Sequence, residues 1–454
     1  MPYVSSNPTT GKINQTFISW NSRELAEVLE RAAAAQRSWR ETGFPERSEK
    51  MHALANLLRQ ERDRLAHLIC SEMGKLLREA RAEIDKCAIG CEYFAHHAHH
   101  FLEREIVETD AGLSYVAYQP IGVVLAVMPW NFPFWQVIRF AAPALMAGNG
   151  GVLKHASNVP LCALAIEQLI ADAGFPRDLF RTLLIESDDV EDVMASPHVQ
   201  AVTLTGSETA GRRVAEQAGK HLLKCVLELG GSDPFIVLPD ADLDLAVGQA
   251  VASRFMNCGQ SCIAAKRFIV TPPLAEEFVA RFAQRIAALN VGDPQRDETD
   301  IAPMARADLL AQLHAQVCDS IAQGAKAVFG CTPLDREGFF YAPSLLDHVS
   351  AKTRAYSEEL FGPVASVIRA ENEEQAIAIA NETQYGLGAS IWTRDTTRAQ
   401  HLAERIESGS VFINGMVKSD PRLPFGGIKN SGFGRELSYH GIREFTNVKS
   451  VWIR

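Results

Sequence analysis

A cysteine in a small polar loop is the first residue of this sequence that could do chemistry. Cys262 follows Gly259, Gln260 and Ser261 and precedes an apolar, strand-like run. Glycine lets the backbone approach a ligand closely, and a loop thiol differs in surroundings from a cysteine packed within apolar periodicity. From these residues alone, a reactive thiol and an ordinary loop cysteine are equally good interpretations.

Two other polar residues stand where apolar, strand-like segments end. Glu228 meets the turn Gly230-Gly231, and Asn131 follows Pro129 and Trp130. A carboxylate in this position could act as a base, although a helix or turn cap is the better interpretation of Glu228 on its own. An amide such as that of Asn131 could donate a hydrogen bond to an oxyanion. Three polar residues at three strand ends predict one site.

The elements that must position these residues are short strands alternating with helices. In residues 115–238 this alternation predicts βαβ units and a parallel sheet. The predicted strands are 123–127, 151–153, 183–185, 201–204 and 225–227. A second alternating series runs from about residue 240 to about residue 430 and contains Cys262, while residues 21–100 predict a helical layer. A domain boundary near Leu229 is expected because ligands favour clefts between domains.

Composition excludes several classes of protein. The chain has 454 residues, 47% of them hydrophobic, and a net charge of −10, which argues against a nucleic-acid or anionic-membrane surface. No apolar run is long enough to span a bilayer, and no secretory signal opens the chain. Nine cysteines without paired spacing predict reduced thiols in the cytoplasm. No zinc pattern occurs, and the pairs His96-His97 and His99-His100 lack partners that complete a metal site, so no metal is expected.

Taken together, these segments resemble the signature set of the NAD(P)-dependent aldehyde dehydrogenase superfamily. The resemblance includes Thr205-Gly206-Ser207 and Glu359-Leu360-Phe361 and covers nearly the whole chain. It implies an α/β fold with two Rossmann-like open-sheet domains and a small β oligomerisation element. The implied cofactor-binding domain is 1–100 with 120–228, the catalytic domain is 229–430, and the oligomerisation element of a homodimer or homotetramer is 101–119 with 431–454.

The resemblance also implies a mechanism. Cys262 is the nucleophile that forms a thiohemiacetal and then a thioester, Glu228 is the base that hydrolyses the thioester, and Asn131 stabilises the oxyanion. The cofactor, NAD or NADP, is expected to contact Trp130, Lys154, Ser157, Gly206, Ser207, Glu359 and Phe361.

Two of these cofactor positions carry an interpretation of their own. Gly206 and Ser207 open a helix whose N-terminus could hold a pyrophosphate, or Ser207 could simply cap that helix. Ser157 stands where many NAD-specific members carry a glutamate that repels a 2′-phosphate. Because serine does not repel the 2′-phosphate, and because Lys154 and His155 are expected near the same position, both cofactors are expected to work.

Arg139 suggests which aldehyde is the substrate. It lies about two helical turns after Asn131 in an apolar segment, where a guanidinium is costly unless it meets an anion. The alternative is a structural ion pair. Its position resembles the succinate-semialdehyde dehydrogenases, which implies that Arg139, Trp135 and Ser419 bind the substrate's carboxylate end. Oxidation of succinate semialdehyde to succinate is therefore expected. Met256 stands where some of these enzymes have a second arginine, and this departure favours the alternative, a broader aliphatic or semialdehyde range.

Two other classes of function remain open. A cofactor-independent acyl hydrolase could use Cys262 and Glu228, although papain-like hydrolases need a histidine partner and no histidine here has a recognisable motif. A catalytically silent binding protein is the second possibility. Ester hydrolysis without formation of NAD(P)H would identify the hydrolase. The absence of both activities would identify the binding protein.

Overall fold

The computed structural model describes residues 3–454. A hairpin and four helices come first in the chain. They are β1 Tyr3–Ser6, β2 Ile13–Phe17, α1 Ser22–Trp39, α2 Phe44–Gln60, α3 Arg62–Met73 and α4 Leu77–Phe101. Helix α1 begins with a capping box in which Asn21 and Glu24 satisfy each other's backbone amides. The short strand β3 Glu105–Ile106 and the longer β4 Leu113–Pro120 follow.

The first large sheet has six strands. Its elements are β5 Val123–Met128, α5 Trp135–Met146, β6 Gly150–His155, α6 Pro160–Asp172, β7 Phe180–Thr182, α7 Val190–Ala195, β8 Val199–Thr205, α8 Glu208–Lys220 and β9 Lys224–Glu228. In the order β9-β8-β5-β6-β7, all neighbouring strands are parallel. The central strands are buried almost throughout because helices cover both faces, which explains their continuous apolar runs.

The second large sheet has seven strands, and its first helix leads directly to Cys262. Its elements are β10 Asp233–Val237, α9 Leu243–Phe255, β11 Ala265–Val270, α10 Ala275–Ala287, α11 Ala307–Ala322, β12 Lys326–Phe329, β13 Ser344–Asp347, α12 Arg354–Ser357, β14 Val364–Arg369, α13 Glu373–Asn381, β15 Gly388–Trp392, α14 Thr396–Ala403 and β16 Ser410–Ile413. The strand order is β12-β13-β14-β11-β10-β15-β16, and only the edge strand β12 is antiparallel to its neighbour within the described chain.

The C-terminal residues return to two other sheets. Strand β17 Gly432–Phe433 adds to β9 beside Glu228, and after α15 Ser438–Glu444 the last strand, β18 Thr446–Ile453, pairs along the whole of β4. Strands β18, β4 and β3 form a small antiparallel sheet. None of the helices between residues 3 and 454 is long and apolar enough to cross a membrane.

The predicted α/β class with two mostly parallel sheets is confirmed. The strand predicted at 183–185 is wrong, because the strand is β7, three residues earlier. Leu183, Leu184 and Ile185 are nevertheless buried, so their apolar run does not distinguish a strand from a packed loop. The division into domains stays a prediction, although β9 ends at Glu228 and β10 begins a different sheet at Asp233.

Helix α4 supports the segment that carries Asn131. Glu83 of α4 is buried in an ion pair with Lys75, and its other carboxylate oxygen accepts hydrogen bonds from the amides of Phe134 and Trp135 at 2.9 and 3.0 Å. These amides belong to the first turn of α5, where free N–H groups need an acceptor. The Lys75 ammonium also lies 3.7 Å from the centroid of the Phe132 ring. One buried carboxylate therefore fixes the start of α5.

We expect Glu83→Gln to destabilise the protein strongly. The substitution leaves Lys75 buried without its counter-charge, and breaking a buried pair in this way costs about 3–5 kcal/mol. The free energy of unfolding is measured by chemical denaturation. Glu92→Gln on the same helix is the matched control, because its pair with Arg59 is solvent-exposed and is expected to contribute less than about 1 kcal/mol. Equal losses in the two variants would contradict the prediction.

Candidate active site

The cysteine loop has a backbone that few sequences can adopt. Between α9 and Cys262, Asn257 and Cys258 have φ angles of 53° and 54°, and Gly259 has a φ of 70°. Asparagine tolerates this left-handed region better than most residues, and glycine adopts it freely. A Cβ on Gly259 would come within 2.2 Å of the Gly362 carbonyl oxygen. The loop is therefore packed closely against the segment that carries Glu359 and Phe361.

Hydrogen bonds connect the cysteine loop to Asn131. The Asn131 side-chain amide donates to the Gln260 carbonyl at 3.0 Å, and the Asn257 side-chain amide donates to the Asn131 carbonyl at 2.9 Å. The side-chain carbonyl oxygen of Asn131 accepts from the Gln136 side-chain amide at 3.1 Å. An asparagine amide has two hydrogens, so one remains for an oxyanion beside Cys262.

A buried lysine links Cys262 to the predicted cofactor carboxylate. Lys266 donates to the carbonyls of Ser261 and Cys262 at 2.9 and 2.8 Å and pairs with Glu359 at 3.2 Å. The Glu359 carboxylate also accepts from the Gly231 amide at 3.2 Å. Lys266 thus fixes the loop and Glu359 relative to each other. Its place in the cysteine motif was visible in the sequence, but its partner is distant in the chain and was not predictable from spacing.

Glu228 is a buried carboxylate without a hydrogen-bond partner. Neither of its carboxylate oxygens forms a hydrogen bond within residues 3–454, so it does not cap a helix or turn. Burial is the main cause that raises its pKa well above the usual range, and the nearby Glu436 carboxylate raises it further, against the opposing charges of Arg139 and Arg435. These surroundings therefore favour the protonated form of Glu228.

One cleft of about 480 Å³ contains most of the predicted site residues. Its lining includes Trp130, Asn131, Gly206, Ser207, Cys262, Glu359 and Phe361. The Trp130 and Phe361 rings meet edge to face, with centroids 5.8 Å apart. Cys262 is half-buried, and the desolvation of its thiol raises the pKa to about 12, while the positive charges of Lys266 and Arg139 act in the opposite direction. At rest the thiol is therefore protonated at neutral pH.

The N-terminus of α8 faces the same cleft. Ser207 caps this helix, because its hydroxyl accepts from the Ala210 amide at 3.3 Å, and Gly206, Ser207 and Glu208 all line the cleft. Both interpretations of Ser207 are thus compatible: its side chain caps the helix while the first turn remains beside the space where a phosphate would lie. This cradle fits the pyrophosphate of a dinucleotide.

Lys154 and Ser157 line a second cleft of about 500 Å³. The Lys154 ammonium donates to the Ser187 hydroxyl at 3.4 Å and has no carboxylate partner within 4.0 Å in the described part of the chain. Burial lowers its pKa. An unpaired cation beside a neutral serine fits the 2′-phosphate of NADP. His155 is different from what we expected: its ring is buried between the carbonyls of Met128 and Pro133 and points away from this cleft.

The three predicted substrate residues are all buried, in two separate sets of contacts. Arg139 pairs with Glu436, donates to the Thr205 hydroxyl at 3.3 Å and stacks on Phe425, with 4.7 Å to the ring centroid. This is the ion pair that was the alternative to substrate binding, so the substrate role of Arg139 stays a prediction. Trp135 donates its indole N–H to the Ser419 hydroxyl at 3.1 Å.

Sequence comparison assigns the class of protein that this fold and site define. The model of the aldehyde dehydrogenase family matches residues 2–451, so the chain belongs to the aldehyde dehydrogenase family. It is 53% identical to a probable succinate-semialdehyde dehydrogenase (NADP(+)) of Synechocystis sp. and 51% identical to succinate-semialdehyde dehydrogenase (NADP(+)) 1 of Mycobacterium bovis, over 100% of each chain. The structure of succinic semialdehyde dehydrogenase from Streptococcus pyogenes, in complex with NADP(+), has a TM-score of 0.98 at 40% identity and covers 99% of both chains.

The pKa of Cys262 leads to a prediction for the ligand-free protein. Because burial raises that pKa to about 12, alkylation of Cys262 should accelerate about tenfold per pH unit between about pH 7 and about pH 9, without a plateau. Iodoacetamide incorporation followed by peptide mass spectrometry measures the rate. Cys318→Ser provides the background, since Cys318 is the exposed cysteine. A plateau below about pH 8 would mean that the resting thiol is already ionised.

Proposed function

We propose that the protein oxidises succinate semialdehyde to succinate with NADP, and with NAD as a second cofactor. The observation that supports this most directly is the cleft in which Cys262 and Asn131 lie beside Glu359 and Phe361. Full-length similarity to enzymes described as NADP-dependent succinate-semialdehyde dehydrogenases supports the substrate.

In the proposed reaction, Glu228 in its ionised form takes the proton of the Cys262 thiol, and the resulting thiolate adds to the aldehyde carbon to form a thiohemiacetal. The Asn131 amide donates to the resulting oxyanion, a contribution on the order of 3 kcal/mol. When bound, the nicotinamide cofactor accepts the hydride. The thioester left on Cys262 is hydrolysed by a water molecule from which Glu228 removes a proton.

Glu228 has to lose its proton before it can act as a base. The surrounding charges make that possible: Arg139 and Arg435 favour its ionised form, whereas Glu436 and burial oppose it. We propose that the ion pair between Arg139 and Glu436 sets this balance. Arg139, which lies on α5, thus favours the ionised form of Glu228, in addition to any contact with substrate.

The proposed dinucleotide position follows the two clefts. Glu359 and Phe361 would hold the nicotinamide end and its ribose, Gly206 and Ser207 the pyrophosphate, and Lys154 with Ser157 the ribose of the adenosine. Trp130 would contact the cofactor beside Phe361. The residues of this chain would thereby orient the cofactor toward Cys262.

We also propose that copies of the chain assemble through the small sheet of β18, β4 and β3. Strand β18 is an edge strand that exposes Val448, Trp452 and Ile453, and an exposed apolar edge favours pairing with another strand. Nine free cysteines support a reducing compartment, which we propose to be the cytoplasm.

A panel of aldehydes tests the function, with formation of NADPH and NADH followed by absorbance. Succinate semialdehyde is expected to give the highest kcat/KM, above glutarate semialdehyde and butanal. A higher value for uncharged aldehydes would leave only a general aldehyde dehydrogenase. Ester hydrolysis without reduced cofactor would favour the acyl hydrolase instead.

The two catalytic roles predict different failures. Cys262→Ala should abolish oxidation while NADP still binds, because no nucleophile remains. Glu228→Gln should give one burst of NADPH equal to the enzyme concentration and then stall, because the thioester forms but lacks its base. Stopped-flow absorbance measures the burst, and intrinsic fluorescence measures cofactor binding. Steady turnover at the wild-type rate in either variant would refute its assigned role.

Ser157→Glu tests the cofactor position. The new carboxylate would repel a 2′-phosphate and bond the ribose hydroxyls of NAD, so KM for NADP should rise about tenfold or more while KM for NAD changes little. Steady-state kinetics with both cofactors measures the ratio. Ser187→Ala is the comparison variant, as it removes a hydroxyl near Lys154 without adding charge. Equal effects of Ser157→Glu on both cofactors would show that Ser157 does not face the ribose.

A further inference from the structure

One partly buried cation near the active site has no carboxylate partner. Lys86 lies on α4, and its ammonium donates to the Ser419 hydroxyl at 2.7 Å and lies 4.5 Å from the centroid of the Trp135 ring. Within the described residues 3–454, no carboxylate oxygen comes within 4.0 Å of it. A lysine that is largely removed from solvent is costly without a counter-ion.

The carboxylates close enough to influence Lys86 already belong to other cations. Glu83 pairs with Lys75, and Asp420 forms a two-pronged pair with Arg422. Burial is the main cause that lowers the pKa of Lys86 to about 8, and the positive charge of Arg139 lowers it further. The surroundings of Lys86 thus contain excess positive charge that a bound anion would neutralise.

Hydrogen-bond donors also exceed acceptors around Ser419. Its hydroxyl oxygen accepts from both the Lys86 ammonium and the Trp135 indole N–H, so its own hydrogen remains free to donate. Lys86 retains two further hydrogens. Two groups with three free hydrogens between them, and no ionised acceptor, make a small site suited to a carboxylate.

This cluster is connected to the segment that carries Asn131. Glu83, which precedes Lys86 on α4, accepts from the Trp135 amide at 3.0 Å, and Asn131 lines the same cleft as Cys262. Trp135 begins the helix that follows Asn131, the oxyanion donor. Arg139 itself is matched by Glu436, which leaves Lys86 as the uncompensated cation on this side of the site.

We infer that Lys86, with Ser419 and Trp135, binds the carboxylate of the substrate and selects an acid semialdehyde over a neutral aldehyde. This inference rests on the proposed function and names the residue of the same site that supplies its charge selectivity. Lys86 is a binding residue; it takes no part in the chemistry at Cys262.

The test compares succinate semialdehyde with butanal, a neutral aldehyde of the same chain length. Lys86→Met should raise KM for succinate semialdehyde about tenfold or more, since a hydrogen bond to a charged group is lost, while KM for butanal stays within about twofold. With butanal as substrate, inhibition by succinate should weaken by a similar factor. Lys86→Gln, which keeps a donor for Ser419, is measured in parallel in case the methionine variant folds poorly, and Lys86→Arg should retain the preference.

Lys418→Met is the matched control, because it removes the same charge from an exposed position next to Ser419 and should change neither KM. Thermal unfolding checks that each variant is folded. If folded Lys86 variants keep the wild-type preference, or lose activity on both aldehydes alike, the inference is wrong. A wild-type preference for butanal would reject the proposed function. In that case the inhibition by succinate still tests the subsite: inhibition that is the same in the wild type and the Lys86 variants would reject it.

Discussion

The buried ion pair between Lys75 and Glu83 is the interaction on which the geometry of the site depends. Glu83 bonds the first amides of α5 with one oxygen and Lys75 with the other, so the start of α5 and the Asn131 segment before it cannot move independently of α4. A buried pair of this kind adds little net stability compared with an apolar core, but breaking it is costly. Its effect here is positional: it fixes where Asn131, the proposed oxyanion donor, lies.

Helix α4 extends this control to the rest of the site along one face. Glu79, Glu83 and Lys86 follow the spacing that places side chains on one side of a helix. The Glu79 carboxylate accepts from the Asn257 amide at 3.1 Å and so holds the cysteine loop, Glu83 holds α5, and Lys86 meets Ser419. A Cβ on Gly90, one turn further, would come within 3.1 Å of the Trp135 ring. A single rigid helix therefore aligns three segments that are far apart in the sequence.

This arrangement explains what the sequence could reveal. The alternation of apolar runs predicts the two sheets, because most of the strands are recognisable locally, although the prediction misplaces the short strand β7. Cys262, Glu228 and Asn131 stand out beside such runs. Glu79 and Lys86 carry no local motif, and their partners, Asn257 and Ser419, lie in other parts of the chain. The Arg139 pair with Glu436 is hidden for the same reason. Only the polar spacing along an otherwise buried helix face is a signal that a sequence reader could use.

The distribution of charge around the site favours one orientation of the substrate and the cofactor. Burial keeps the Cys262 thiol protonated and favours the protonated form of the Glu228 carboxyl. Charges around them include two matched pairs, Lys266 with Glu359 and Arg139 with Glu436. Within the described residues, Lys154 in one cleft and Lys86 beside Ser419 have no carboxylate partner, and the Arg435 guanidinium donates to the carbonyls of Gly427 and Gly434. A neutral centre between two cations suits a neutral aldehyde group, because the substrate and the cofactor both carry their negative charge at the end far from that group. The same field would align the two ligands before any bond to Cys262 forms.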